Sequence, residues 1–142
     1  GAGKIDRVNR SVTLTAYVVI ACMAFFTVLW DLGPELLYSP FTSDPQVMSI
    51  GVDYLKIIAI GYIFLGLDFV FGSAFQAAGR TTLQMILNMF RWAITVLIAY
   101  VLVGSMGLSG IWWGFPIGNF IGFLAFFAFL KSGFWLRKWK RK

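Results

Sequence analysis

Between Arg10 and Asp31 the chain carries no charged residue, and Val12 to Leu29 alone is long enough to cross the hydrocarbon core of a bilayer. Such a run fixes the solvent before it fixes the fold. In water it would need covering on every side, whereas in lipid it needs only that each backbone polar group be satisfied inside a helix. The rest of the chain has the same character: of 142 residues, 59% are hydrophobic and 13% charged, against about 25% charged in an ordinary soluble domain. Because a spanning helix takes about 20 residues and its connections take more, four spans fit. The expected fold is an all-α membrane protein, a bundle of four transmembrane helices making one unit over residues 1–142, multi-pass in the cell (plasma) membrane.

Turn chemistry predicts where the spans begin and end. The first is expected at about 12–30. Gly33, Pro34 and Pro40, beside Asp31 and Glu35, stop it and make a surface connection. Ser43-Asp44-Pro45 restarts a helix, the acid accepting from free amides and the proline suiting the first turn. The second helix, about 45–78, would be about 50 Å long, so its first turns project beyond the hydrocarbon, with Asp53 and Lys56 three residues apart in that part. Gly79-Arg80 ends it. The third is expected at about 81–103, the stretch from Gly104 to Gly110 breaking it from a fourth at about 111–130.

Six of the twelve basic residues lie between Lys131 and Lys142, directly after the last apolar run. Such a tail, 131–142, is a membrane-surface anchor on the cytoplasmic side, and its clustering argues against nucleic acid as a partner. Lys4, Arg7 and Arg10 flank the first span and Arg80 the second loop, while the connection from Asp31 to Asp44 holds acids and no base. The positive-inside rule therefore predicts both termini in the cytoplasm. The basic start could mimic a signal peptide, but the apolar run is too long and no plain cleavage motif follows. A chain starting Gly1-Ala2-Gly3 is expected to have been processed or cut from something longer.

Phe, Trp and Tyr make 18% of the chain, and Trp30, Tyr38, Trp112, Trp113, Trp135 and Trp139 fall near expected helix ends, as in an aromatic belt at the headgroups. No histidine and one cysteine, Cys22, leave no disulfide and little from which to build a metal site. No Ser-His, Cys-His or close carboxylate pair offers a catalytic site, and no glycine-rich phosphate loop follows a strand. The chain is expected to be neither an enzyme nor the holder of a cofactor or metal.

Three constellations remain. Gly114, Gly118 and Gly122 stack on one face of the fourth helix and leave a groove into which another backbone fits. Pro116 and Asn119 in the same helix predict a kink with a polar group inside it. Gln84, Asn88, Arg91 and Thr95 form one polar stripe on the third helix, either a hydrogen-bonded seam or a wall of a water-filled cavity. Asp68 is an acid in the middle of the second crossing, a candidate whose protonation would be a usable switch or whose charge is answered by Arg91. Asp68 precedes Gly79 by 11 residues and Arg91 follows Arg80 by 11, so a hairpin about that turn sets the two at equal depth, roughly 16 Å from it.

These residues resemble the multidrug and toxic compound extrusion (MATE) family, twelve-helix antiporters of two six-helix lobes. Gly1-Ala2-Gly3 with Arg7 and Arg10 looks like the loop entering the family's ninth helix, and Phe41 to Val47 like the connection entering the tenth. The segment from Phe71 to Arg80 is similar to the end of that tenth helix, and Gly107 to Gly114 to the entrance of the twelfth. The resemblance implies the last four helices of the second lobe in a secondary active multidrug efflux antiporter, exporting organic cations or amphiphiles in exchange for sodium ions or protons. It implies an acid of the coupling-ion site in the region of Asp68, while the polar stripe itself makes Arg91, Asn88 and Gln84 further candidates for ion coupling or the substrate cavity. The implied partners are membrane lipid, the remaining transporter lobes or another membrane subunit, a small-molecule substrate, and sodium ion or proton. Because alternating access needs two halves rocking about a site, these four helices are not expected to transport alone. The alternative is a small membrane scaffold or interaction protein that uses its glycine face for assembly.

Overall fold

A computed structural model describes residues 5–133, and within them the chain is helical with no strand. Five helices follow one another: α1 (Ile5–Leu32), the single-turn α2 (Pro34–Tyr38), α3 (Pro45–Ala77), α4 (Thr81–Met106) and α5 (Leu108–Lys131). The four long ones are each long and apolar enough to cross a membrane. Large apolar side chains such as Tyr17, Phe25, Phe69 and Tyr100 are exposed on their outer faces, where lipid rather than water is the compatible solvent. The basic residues Lys4, Arg137, Lys138, Lys140, Arg141 and Lys142, with Trp135 and Trp139, lie outside the described residues.

Local chemistry sets the boundaries. Asp44 caps α3 by accepting a hydrogen bond from the Gln46 amide at 2.8 Å, with Pro45 in the first turn. At the other end Gly79 adopts φ 72°, and the Gly79 and Arg80 amides donate back to Gln76 and Phe75 carbonyls, both at 2.8 Å. That pair of bonds is the Schellman arrangement, which only a residue free of Cβ strain enters easily. The junction of α4 and α5 differs from the sequence expectation of a break over Gly104 to Gly110. Helix α4 runs on through Gly104 and Ser105 to Met106, and a single residue, Gly107 at φ 59°, makes the reversal before α5 begins at Leu108. Glycine and serine do not by themselves end a helix whose carbonyls have partners: Ser105 donates to the Leu102 carbonyl at 3.2 Å, and the Gly107 amide to Val103 at 3.0 Å.

Helix α5 lies between α3 and α4 and packs on both, while α3 and α4 touch one another much less. The sequence-level picture of a simple α3–α4 hairpin is thus incomplete, because a third helix fills the space between its arms. Helix α1 packs on α3, and at Gly66 an added Cβ would meet Val19 at 2.7 Å. The core is an aromatic seam between α3 and α5. Phe75 and Phe126, both fully buried, stack at 5.9 Å between centroids, and Phe71 with Phe123 and Phe64 with Phe120 continue the ladder. Some aromatics therefore bind helices together rather than mark the headgroup level, although Trp30 and Trp112 do meet Tyr62 and Tyr54 edge to face near helix ends.

Candidate functional site

The glycine face of α5 and the polar stripe of α4 are two halves of one interface. A Cβ on Gly114 would meet Ala99 at 2.7 Å, one on Gly118 would overlap Thr95, and one on Gly122 would meet the Cγ and Cδ of Arg91 at 2.6 Å. Each step of four along α5 meets a step of four in the opposite direction along α4, as antiparallel helices with matched small residues do. The three glycines thus make room for Ala99, Thr95 and the aliphatic stem of Arg91. Thr95 is satisfied within its own helix, its hydroxyl donating to the Arg91 carbonyl at 2.9 Å.

Laid over Gly122, the Arg91 stem carries its guanidinium into the interior, where the residue is 4% exposed. Three helices surround it there. Arg91 Nε lies 3.6 Å from Asp68 Oδ2 of α3, an ion pair beyond hydrogen-bond length. Nη1 donates to Asn119 Oδ1 of α5 at 2.6 Å, and Nη2 to Asn88 Oδ1 one turn back on α4 at 3.3 Å. Asn119, fully buried, turns its amide nitrogen to the Gly61 carbonyl of α3 at 3.5 Å. Asp68 is also 4% exposed, and neither of its carboxyl oxygens has a hydrogen-bond partner among the described residues.

Of the candidates read from the sequence, Asp68, Arg91 and Asn88 therefore converge. Gln84 is linked more loosely: its carbonyl accepts from Asn88 Nδ2 at 3.2 Å, and its side chain lies over Gly72 of α3, where a Cβ would meet Gln84 Nε2 at 2.8 Å. Gln84 and Asn88 line an open cleft of about 720 Å³ with Gln76, Met85, Met89 and Trp92. The Trp92 ring carries the Arg91 guanidinium at 4.8 Å from its centroid, so the cleft and the buried charge pair adjoin.

Asn119 is the member that reading the sequence left without a role beyond a polar group in a kink. Its signal was present in the register: if Gly122 faces Arg91, the residue one turn earlier on α5 stands beside the head of that side chain. Pro116, inside α5, cannot donate to the preceding turn, and the Gly61 backbone of α3 comes close at this point, its Cβ position lying 2.9 Å from Pro116 Cα. Asn119 and Gly61 thus join α5 and α3 where the proline loosens the helix ladder.

Comparison with known proteins gives the family. The family model described as MatE matches residues 1–101. The chain is 34% identical over 115 residues to the Probable multidrug resistance protein NorM of Thermotoga maritima, covering 78% of this chain and 24% of that protein. It is 26% identical over 140 residues to the Multidrug and toxin extrusion protein 1 of Mus musculus, covering 96% of this chain and 25% of that one. The Multidrug export protein MepA of Staphylococcus haemolyticus is 25% identical over 123 residues, 86% of this chain and 26% of its own. No solved structure matches. The chain spans about a quarter of the length of the curated relatives it matches. With four helices of membrane-spanning length and a family match over most of its residues, this multi-pass membrane chain belongs to the MatE family.

Proposed function

We propose that the chain supplies four helices of a secondary active multidrug efflux antiporter, with both termini in the cytoplasm of a cell bounded by the plasma membrane. In this reading Asp68 is a carboxylate of the coupling-ion site, Arg91 is its counter-charge, and Gln84 and Asn88 belong to the wall along which an organic cation or other amphiphile passes. The observation that carries the reading is the pair of Asp68 oxygens, buried and without a hydrogen-bond donor among the described residues. A carboxylate so placed is costly unless a cation answers it, and the Arg91 guanidinium answers it only at 3.6 Å. A proton or sodium ion at Asp68 changes its charge, and a change of charge between two packed helices biases any equilibrium in which those helices move. The adjoining cleft, lined by methionines, a tryptophan and amides, offers polarisable surface to a flat amphiphilic cation.

The relatives' names speak of multidrug resistance, extrusion and export, and this chain covers a quarter of each. Rocking of two halves about a midplane site needs more helices than four, so the exchange reaction belongs to the complete transporter. The alternative of a scaffold protein uses the glycine face and the basic tail for assembly and lipid contact; the glycine face is filled by α4. The test is efflux of a fluorescent lipophilic cation from proteoliposomes holding the complete transporter, under imposed sodium or proton gradients. Asp68→Asn should abolish gradient-driven efflux in protein that is less stable but still folded, as a melting curve of the purified variant checks. Full gradient dependence in Asp68→Asn would overturn the reading.

A further inference from the structure

An arginine beside a carboxylate ordinarily offers two parallel N–H groups, the geometry in which the two ions bind most strongly. Arg91 does not. Its two terminal nitrogens are given to amide oxygens, Nη1 to Asn119 at 2.6 Å and Nη2 to Asn88 at 3.3 Å, and only Nε faces Asp68, at 3.6 Å without a hydrogen bond. The shortest of these contacts comes from a third helix. The stem is held as well, because Arg91 Cγ and Cδ lie where a Cβ on Gly122 would stand. Arg91 is therefore fixed by α5 and by its own helix, and Asp68 is left with two oxygens unclaimed by any donor among the described residues.

The geometry points to Asn119 as a positioning residue that holds the Arg91 guanidinium off Asp68, so that a tethered cation tunes the affinity of that carboxylate for the coupling ion. The inference rests on the reading of Asp68 as a coupling-ion carboxylate. With Asn119 in place, Arg91 contributes charge from a fixed distance and leaves the carboxyl oxygens open. Without the Asn119 oxygen, the guanidinium fork is free to close on Asp68 and compete directly with an incoming cation. With a carboxylate at position 119, Arg91 has an anion of its own, and Asp68 holds the coupling ion more tightly. No other charge complicates the balance among the described residues: α1 carries none between Arg10 and Asp31, α5 none before Lys131, and α3 and α4 bring only Asp68 and Arg91 to this depth.

Two substitutions at one position thus shift ion affinity in opposite directions, which a packing role does not do. In proteoliposomes holding the complete transporter, efflux is titrated with sodium ions at fixed pH and with protons at fixed sodium, and the coupling cation is the one that drives the unaltered protein. Asn119→Asp should lower the half-maximal concentration of that cation about tenfold and Asn119→Leu should raise it about tenfold, within the usual range of coupling between neighbouring sites. Arg91→Gln, which removes the tethered cation outright, should move the same way as Asn119→Asp and keeps the test decisive if the leucine variant fails to accumulate. Shifts of the same sign in Asn119→Asp and Asn119→Leu, no shift in Asn119→Asp, or opposite shifts in Asn119→Asp and Arg91→Gln overturn the inference. The underlying reading fails separately, if Asp68→Asn leaves the half-maximal concentration unchanged.

Discussion

Arg91 stands 3.6 Å from Asp68, yet its closest polar contact, 2.6 Å, is with Asn119 on a different helix. The two charges are neighbours without being a hydrogen-bonded pair. Three of the four long helices therefore meet at one guanidinium.

The α4–α5 interface depends on the absence of side chains from one face of α5. Gly118→Leu should destabilise the protein by about 1–3 kcal/mol, the range for forcing added carbon into a packed site, and should lower its folded yield. Gly104 is the control, because it is helical and nothing lies within 4 Å of its Cβ position, whereas Gly133 sits at φ 64° and carries its own strain. Equal melting temperatures for Gly118→Leu and Gly104→Leu would remove the packing claim.

Topology is testable by labelling with an impermeant thiol reagent in intact cells, once Cys22, which is exposed, has been replaced by alanine. Ser43→Cys, in the connection between α2 and α3, should react from outside. Ser132→Cys, at the end of α5, should not. Labelling of position 132 but not 43 would invert the orientation.

The short α2 is held to α3 by Tyr38, whose ring covers Gly51 so closely that a Cβ there would lie 2.6 Å from it. Burial first, and the neighbouring Tyr54 second, raise the Tyr38 phenol above its ordinary value of 10.0. A group with a raised folded pKa adds stability that is complete below the unfolded value and disappears as pH climbs through the folded one. The α2–α3 contact should therefore hold to about pH 10 and weaken above it. The tyrosinate absorbance lost on Tyr38→Phe should titrate above pH 10, and a component titrating below that value would contradict the assignment.

Much of this fold is legible in the sequence because lipid imposes simple rules. Uncharged runs give the helices, Ser43-Asp44-Pro45 and Gly79-Arg80 supply a cap and a stop, and the four-residue spacing of Gly114, Gly118 and Gly122 marks a close approach. Two things were not legible. Gly104 to Gly110 contains three glycines and two serines, and composition cannot tell which glycine takes a positive φ when the others remain helical. Nor does spacing along α3 and α4 reveal that α5 enters between them, so the depth of Asp68 and Arg91 could be read while the Asn119 contact could not. Pairing between helices is a tertiary fact, and only the glycine register on α5 hinted at it.

The claim that everything else depends on is that Asp68 and Arg91 act as one unit inside the membrane. A double-mutant cycle on thermal stability of the purified complete transporter, with Asp68→Asn, Arg91→Gln and the double variant, measures it directly. Removing either partner leaves the other charge buried and uncompensated, a loss of about 3–5 kcal/mol in comparable pairs, while removing both relieves part of that loss. The double variant should be more stable than the sum of the single effects by at least about 1 kcal/mol. Effects that simply add, within about 0.5 kcal/mol, would mean that the two residues are not coupled and would contradict the account.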